Sequence, residues 1–153
     1  MSTKVTLEEF RNSAGRELAP SDWLEVNQDR VNQFADATLD HQFIHLDPER
    51  AVATPFGGTI VHGYLTLSLL VHLNSQHALE PEGMQMLINY GSDKVRFLAP
   101  VRVGSRIRST QKVIEVSQRS ATNWLVKLEV TVEIEGGSKP AMLAEVLMLY
   151  VLG

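Results

Sequence analysis

The chain contains no cysteine, which excludes disulfides, thiol nucleophiles and thiolate metal sites and fits a reducing compartment. It has no excess of positive charge. Fourteen Lys and Arg against 18 Asp and Glu give a formal net charge of -4, leaving no global basic field to draw in a nucleic-acid backbone. Long hydrophobic runs are also missing: nothing approaches the roughly 18 apolar residues of a membrane span, and the first ten residues lack the apolar core of a secretory signal. No internal repeat, low-complexity tract or linker interrupts the chain. The expectation is a soluble, cytoplasmic protein with neither nucleic acid nor membrane as partner.

What is present suffices for one domain. The 153 residues are 44% hydrophobic and 21% charged, enough to bury a single core. Thr6 to Glu9 spells a capping box, so a short helix begins there and ends before Gly15. Residues 1–20 read as an N-terminal helical appendage. Asp22 to Asn27 reads as a short strand, and Asn27 caps a helix running to about Thr38. Asp47-Pro48-Glu49 combines an N-cap, a first-turn proline and acidic residues, which starts another short helix ending near Ala53.

Tyr64 to His77 is the strongest helical segment. Leu65, Leu67, Leu69, Leu70, Val71 and Leu73 cover most of its circumference, which predicts burial nearly all round. Beyond Gly83 the pattern turns to strands: Met84 to Ala99, Arg102 to Val116, Thr122 to Glu135 and Pro140 to Leu152. Trp124, Val126, Leu128, Val130, Val132 and Ile134 alternate with polar residues, as a sheet with one buried face requires. The last strand is apolar on both faces, which predicts a central strand covered on both sides. One apolar helix followed by long antiparallel strands implies an α+β fold in which a sheet wraps around the helix.

Asp40 and His45 carry the chemistry. They lie in Asp40-His41-Gln42-Phe43-Ile44-His45-Leu46-Asp47-Pro48, between two predicted helices, and offer an acid/base pair. Ile60-Val61-His62-Gly63 follows closely and opens the apolar helix, whose N-terminal N–H groups favour a developing anion. A pair that holds water beside a group that polarises a carbonyl is suited to adding water across an activated double bond.

These segments, with Phe34-Ala35-Asp36-Ala37-Thr38 before them and Asn89 to Val101 after, resemble the MaoC-like dehydratases. The likeness is specifically to the (R)-specific enoyl-CoA hydratases and their nodulation-protein-N-like branch, and it runs nearly end to end. It implies a single hotdog domain, a catalytic dyad of Asp40 and His45, and the Gly63 backbone N–H as oxyanion donor. The implied activity is reversible addition of water to a trans-2-enoyl-CoA, giving the (R)-3-hydroxyacyl-CoA. It implies no separate cofactor, since CoA is part of the substrate, no metal, and a homodimer or larger assembly with the acyl-CoA tunnel at the subunit interface. Two positions depart from the family pattern. The usual Gly before the Asp is Leu39, and the usual Asn-Pro is Gln42-Phe43. Should that backbone take positive φ, leucine would cost about 1–2 kcal/mol.

Around this centre, Gln42 can offer an amide to the dyad or substrate, and His62 borders the site although a structural role suits it equally. Tyr64 and Phe56 are candidates for an acyl pocket or for core packing. Lys94 and Arg96 share one strand face, either as a solvated face or as contacts for CoA phosphates. His41 and His45, four apart with Asp40 and Asp47 nearby, have metal-like spacing, but they are not on a predicted helix. Two other functions fit the same fold: an acyl-CoA thioesterase, which would release free CoA from a saturated thioester, and a non-catalytic acyl-CoA-binding subunit, which would bind without turnover.

Overall fold

The computed structural model describes all 153 residues. Eight strands and five helices follow in the order β1 (Thr3–Val5), α1 (Leu7–Arg11), β2 (Glu17–Leu18), β3 (Leu24–Glu25), α2 (Gln28–Thr38), α3 (Phe43–Leu46), α4 (Pro48–Ala51), α5 (Gly63–Ser75), β4 (Leu79–Pro81), β5 (Met84–Phe97), β6 (Arg106–Gln118), β7 (Asn123–Ile134) and β8 (Met142–Leu152). The main sheet is antiparallel in the order β2-β6-β7-β8-β5, and β3 also pairs with β6. With α5 as its central helix, this is the α+β hotdog arrangement. No helix is long and apolar enough to cross a membrane.

The core forms where the alternation of β7 meets the buried side of α5. Trp124, Val126, Leu128, Val130 and Val132 are buried and join Leu65, Leu70 and Leu73 in one cluster, as period-two and helical spacing require.

The N-terminal segment is more than a helical appendage. It opens with β1, which pairs with β4, and its capping box is formed as expected. Phe10 is fully buried, with its ring 6.1 Å from Trp124 and 4.9 Å from Tyr150. Its apolar side chain thus ties α1 into the main core.

Two burial expectations are also corrected. The central helix leaves Tyr64 and Val71 exposed at 70% and 62%, because no element of this chain covers that flank. Strand β8 is central in the sheet, between β7 and β5, but only Met142, Ala144, Val146, Tyr150 and Leu152 are buried. Leu143, Leu147, Leu149 and Val151 on its other face are half-buried. Strand β5 pairs only with β8 and exposes Met86, Ile88 and Tyr90.

Candidate active site

Helix α2 delivers the first functional residue through a left-handed turn. Its N-cap, Asn27, accepts from the Arg30 N–H at 2.9 Å. At its C-cap, Leu39 adopts φ 64° and ψ 20° and is the only non-glycine residue with positive φ. A glycine there would avoid the steric cost of the leucine Cβ. The turn reverses the chain and places Asp40 ahead of α3, where its Oδ1 lies 3.4 Å from the Gln42 N–H.

His45 lies on the single-turn helix α3, not in an irregular connection. It is buried, and its Nδ1 is 2.7 Å from the Ile60 carbonyl. A carbonyl only accepts, so Nδ1 carries the proton and Nε2 of the neutral ring keeps its lone pair. Gln28 braces the same segment, donating to the His45 carbonyl at 2.8 Å while accepting from the Thr59 hydroxyl at 2.9 Å.

His62, 2% exposed, is the N-cap of α5. Its Nε2 donates to the Asp40 carbonyl at 3.1 Å, and its ring stacks on His45 at 3.9 Å with Phe34 on it at 4.9 Å. His62 therefore contacts both halves of the candidate dyad. Burial holds its pKa below the ordinary imidazole value and His45 and His41 push the same way, while the hydrogen bond to Asp40 and the Asp40 charge oppose the shift.

One donor atom from each of Asp40, His45 and His62 lies within 4.8 Å of the others. The two rings are only 23° from parallel, so their in-plane lone pairs run side by side and converge poorly on one ion. His41, the other histidine with metal-like spacing, turns away to meet Asp36 at 3.0 Å.

Gly63 is the first residue of α5, and its N–H has no backbone acceptor. The His62 side chain makes no capping bond, so the helix presents open amides next in sequence to the residue that touches Asp40 and His45. A Cβ on Gly63 would lie 3.1 Å from the Phe97 ring. The absence of a side chain allows β5 to close over the helix start.

The other sequence candidates fall into separate places. Phe56, Gly63 and Phe97 line a cavity of about 260 Å³, and Tyr64 meets Phe97 at 5.9 Å. Gln42 is exposed at the N-cap of α3 and makes no capping bond. Lys94 and Arg96 are exposed on β5, and Arg96 donates to the Val95 carbonyl at 2.9 Å. Neither lines the cavity at Gly63. The bracing role of Gln28 and the contacts of His62 with both Asp40 and His45 were not read from sequence, because both depend on packing between segments.

The chain matches the MaoC like domain over residues 9–134. It is 46% identical over 151 residues to 3-hydroxyacyl-thioester dehydratase Z of Mycobacterium tuberculosis (strain ATCC 25618 / H37Rv), covering 99% of each chain. It is also 46% identical over 142 residues to Nodulation protein N of Rhizobium leguminosarum bv. viciae, covering 92% of this chain and 88% of that protein. An (R)-hydratase from A. caviae involved in PHA biosynthesis superposes with a TM-score of 0.69 at 27% identity, over 88% of this chain and 94% of that one. The chain belongs to the MaoC-like dehydratase family, hydro-lyases of the hotdog fold.

Proposed function

We propose that this chain interconverts a 3-hydroxyacyl thioester and its trans-2-enoyl thioester, with coenzyme A as carrier and the (R)-alcohol as the hydrated product. The observation that carries this reading is the fixed tautomer of His45. With Nδ1–H committed to the Ile60 carbonyl, Nε2 is free to act as a base, and an Asp40 carboxylate oxygen lies within 4.8 Å of a ring nitrogen of His45.

The thioester carbonyl rests against the Gly63 N–H, where the helix dipole and unpaired amide stabilise the enolate formed as water oxygen attacks C3. Asp40 accepts one hydrogen of that water and orients it. His45 Nε2 removes the other proton as the C3–O bond forms, and the imidazolium returns it to C2. The side chains end as they began. Gln42 and His62 flank the water, with His62 also fixing the Asp40 backbone. Phe56 and Tyr64 flank the thioester, and Lys94 and Arg96 meet the CoA phosphates electrostatically.

The kinship with a 3-hydroxyacyl-thioester dehydratase and the likeness to an (R)-hydratase support this reading. The bare edge of β5 supports a homodimer, since a second copy would cover its exposed apolar residues.

The test is loss of the conjugated enoyl absorbance of crotonyl-CoA, followed by oxidation of the product with an (R)-specific dehydrogenase. Asp40→Ala and His45→Ala should each lower turnover by about 10²–10⁴-fold. Most of the activity surviving in either folded variant would sink the assignment. Free CoA released from a saturated acyl-CoA, without hydration, would identify a thioesterase.

A further inference from the structure

A cavity of about 440 Å³ runs beside α5 and is lined by Leu67, Leu70, Val71 and Asn74 of that helix, with Gln111 and Tyr150 from the sheet. Gly63, Leu67, Leu70 and Asn74 are spaced by four, three and four residues, so they share one helix face. That face begins at the proposed oxyanion donor. The cavity is lined mainly by apolar side chains, with Ser68, Asn89 and Ser92 among them, and Asn74 and Gln111 bring two further amides to it.

Gln111 is 4% exposed. Its Nε2 donates to the Asn74 main-chain carbonyl at 3.1 Å, whereas its Oε1 has no partner, nor does Asn74 Oδ1. Two amide oxygens sealed from bulk solvent without a donor are unusual, because buried acceptors are nearly always paired. Tyr150, 3% exposed, lines the same cavity. Burial pushes its phenol up to about 12, which keeps the hydroxyl protonated.

We propose that this cavity is a specificity chamber for an acyl chain carrying a hydroxyl near its far end, with Asn74 and Gln111 accepting its hydrogen bonds. The assignment rests on the thioester reading of the Asp40–His45 site and names the substrate class for it. Asn74 lies about 16 Å along the helix from Gly63, at roughly 1.5 Å per residue. An extended chain advances about 1.2 Å per bond, so the hydroxyl belongs roughly thirteen bonds from the thioester carbon. A plain alkyl chain of that length would leave both amide oxygens unpaired, and a site built to accept a substrate hydroxyl discriminates against the analogue without it.

The experiment compares trans-2-tridecenoyl-CoA with its ω-hydroxy analogue on purified protein, with crotonyl-CoA as the short reference. The hydroxylated chain should give a kcat/KM at least about tenfold above the plain one. Gln111→Leu and Asn74→Leu should each erase or reverse that preference. Because the readout is a ratio within one preparation, a smaller folded fraction does not mimic the effect.

Turnover of crotonyl-CoA with equal or better use of the plain chain overturns the chamber and leaves the hydratase reading intact. An unchanged preference in both leucine variants overturns it as well. No turnover of any enoyl thioester by folded protein overturns both.

Discussion

At the scale of single residues, the site is built on a backbone conformation that its sequence disfavours. Leu39 sits in the left-handed region at φ 64° and is 80% exposed, so its side chain gains little from packing. Leu39→Gly should raise stability by about 1 kcal/mol and Tm by about 2–4 °C, measured by thermal unfolding. His62 gives a pH-dependent counterpart. Its folded pKa is depressed, so below about pH 6.5 the unfolded chain takes up a proton that the folded chain resists. Stability from this group is complete above that pH and declines as pH falls through the window below it. His62→Phe keeps a ring against Phe34 and His45 but cannot titrate, and should flatten the fall in urea midpoint between about pH 8 and pH 5. Asp40 and His45 were legible because six residues of contiguous motif hold them. The contact of His62 with both was not, because it depends on α5 starting directly beneath α3.

At the scale of elements, α1 shows what local pattern conveys and what it omits. The capping box from Thr6 to Glu9 is present with both of its reciprocal bonds, yet nothing in that motif says where Phe10 goes. Phe10 packs against Trp124 and Tyr150, from strands more than a hundred residues away in sequence. Phe10→Ala should cost about 3–5 kcal/mol, seen as a lower denaturant midpoint with the cooperative transition retained. The long strands were legible from period-two alternation, most plainly in β7. Helix α3 was missed because one turn is too short to establish a period, and the open flank of α5 because composition records apolarity without saying which elements are available to cover it.

At the scale of the whole molecule, the edge of β5 dominates. Met86, Ile88 and Tyr90 are exposed at 54%, 42% and 62%, and a long apolar edge strand is a template for pairing. Sedimentation equilibrium should find a dimer, and Tyr90→Lys should shift it toward monomer by placing a charge in the contact. The features that orient the proposed catalytic groups have another property in common. The Ile60 carbonyl fixes His45, the Asp40 carbonyl fixes His62, and the Gly63 N–H faces the proposed oxyanion. All three are main-chain atoms. Side-chain drift at residue 60 cannot delete the carbonyl that sets the His45 tautomer, so the geometry is buffered against mutation wherever the fold survives. Position 60 would accept apolar exchanges that keep its buried packing, while its carbonyl serves the proposed chemistry whichever side chain stands there.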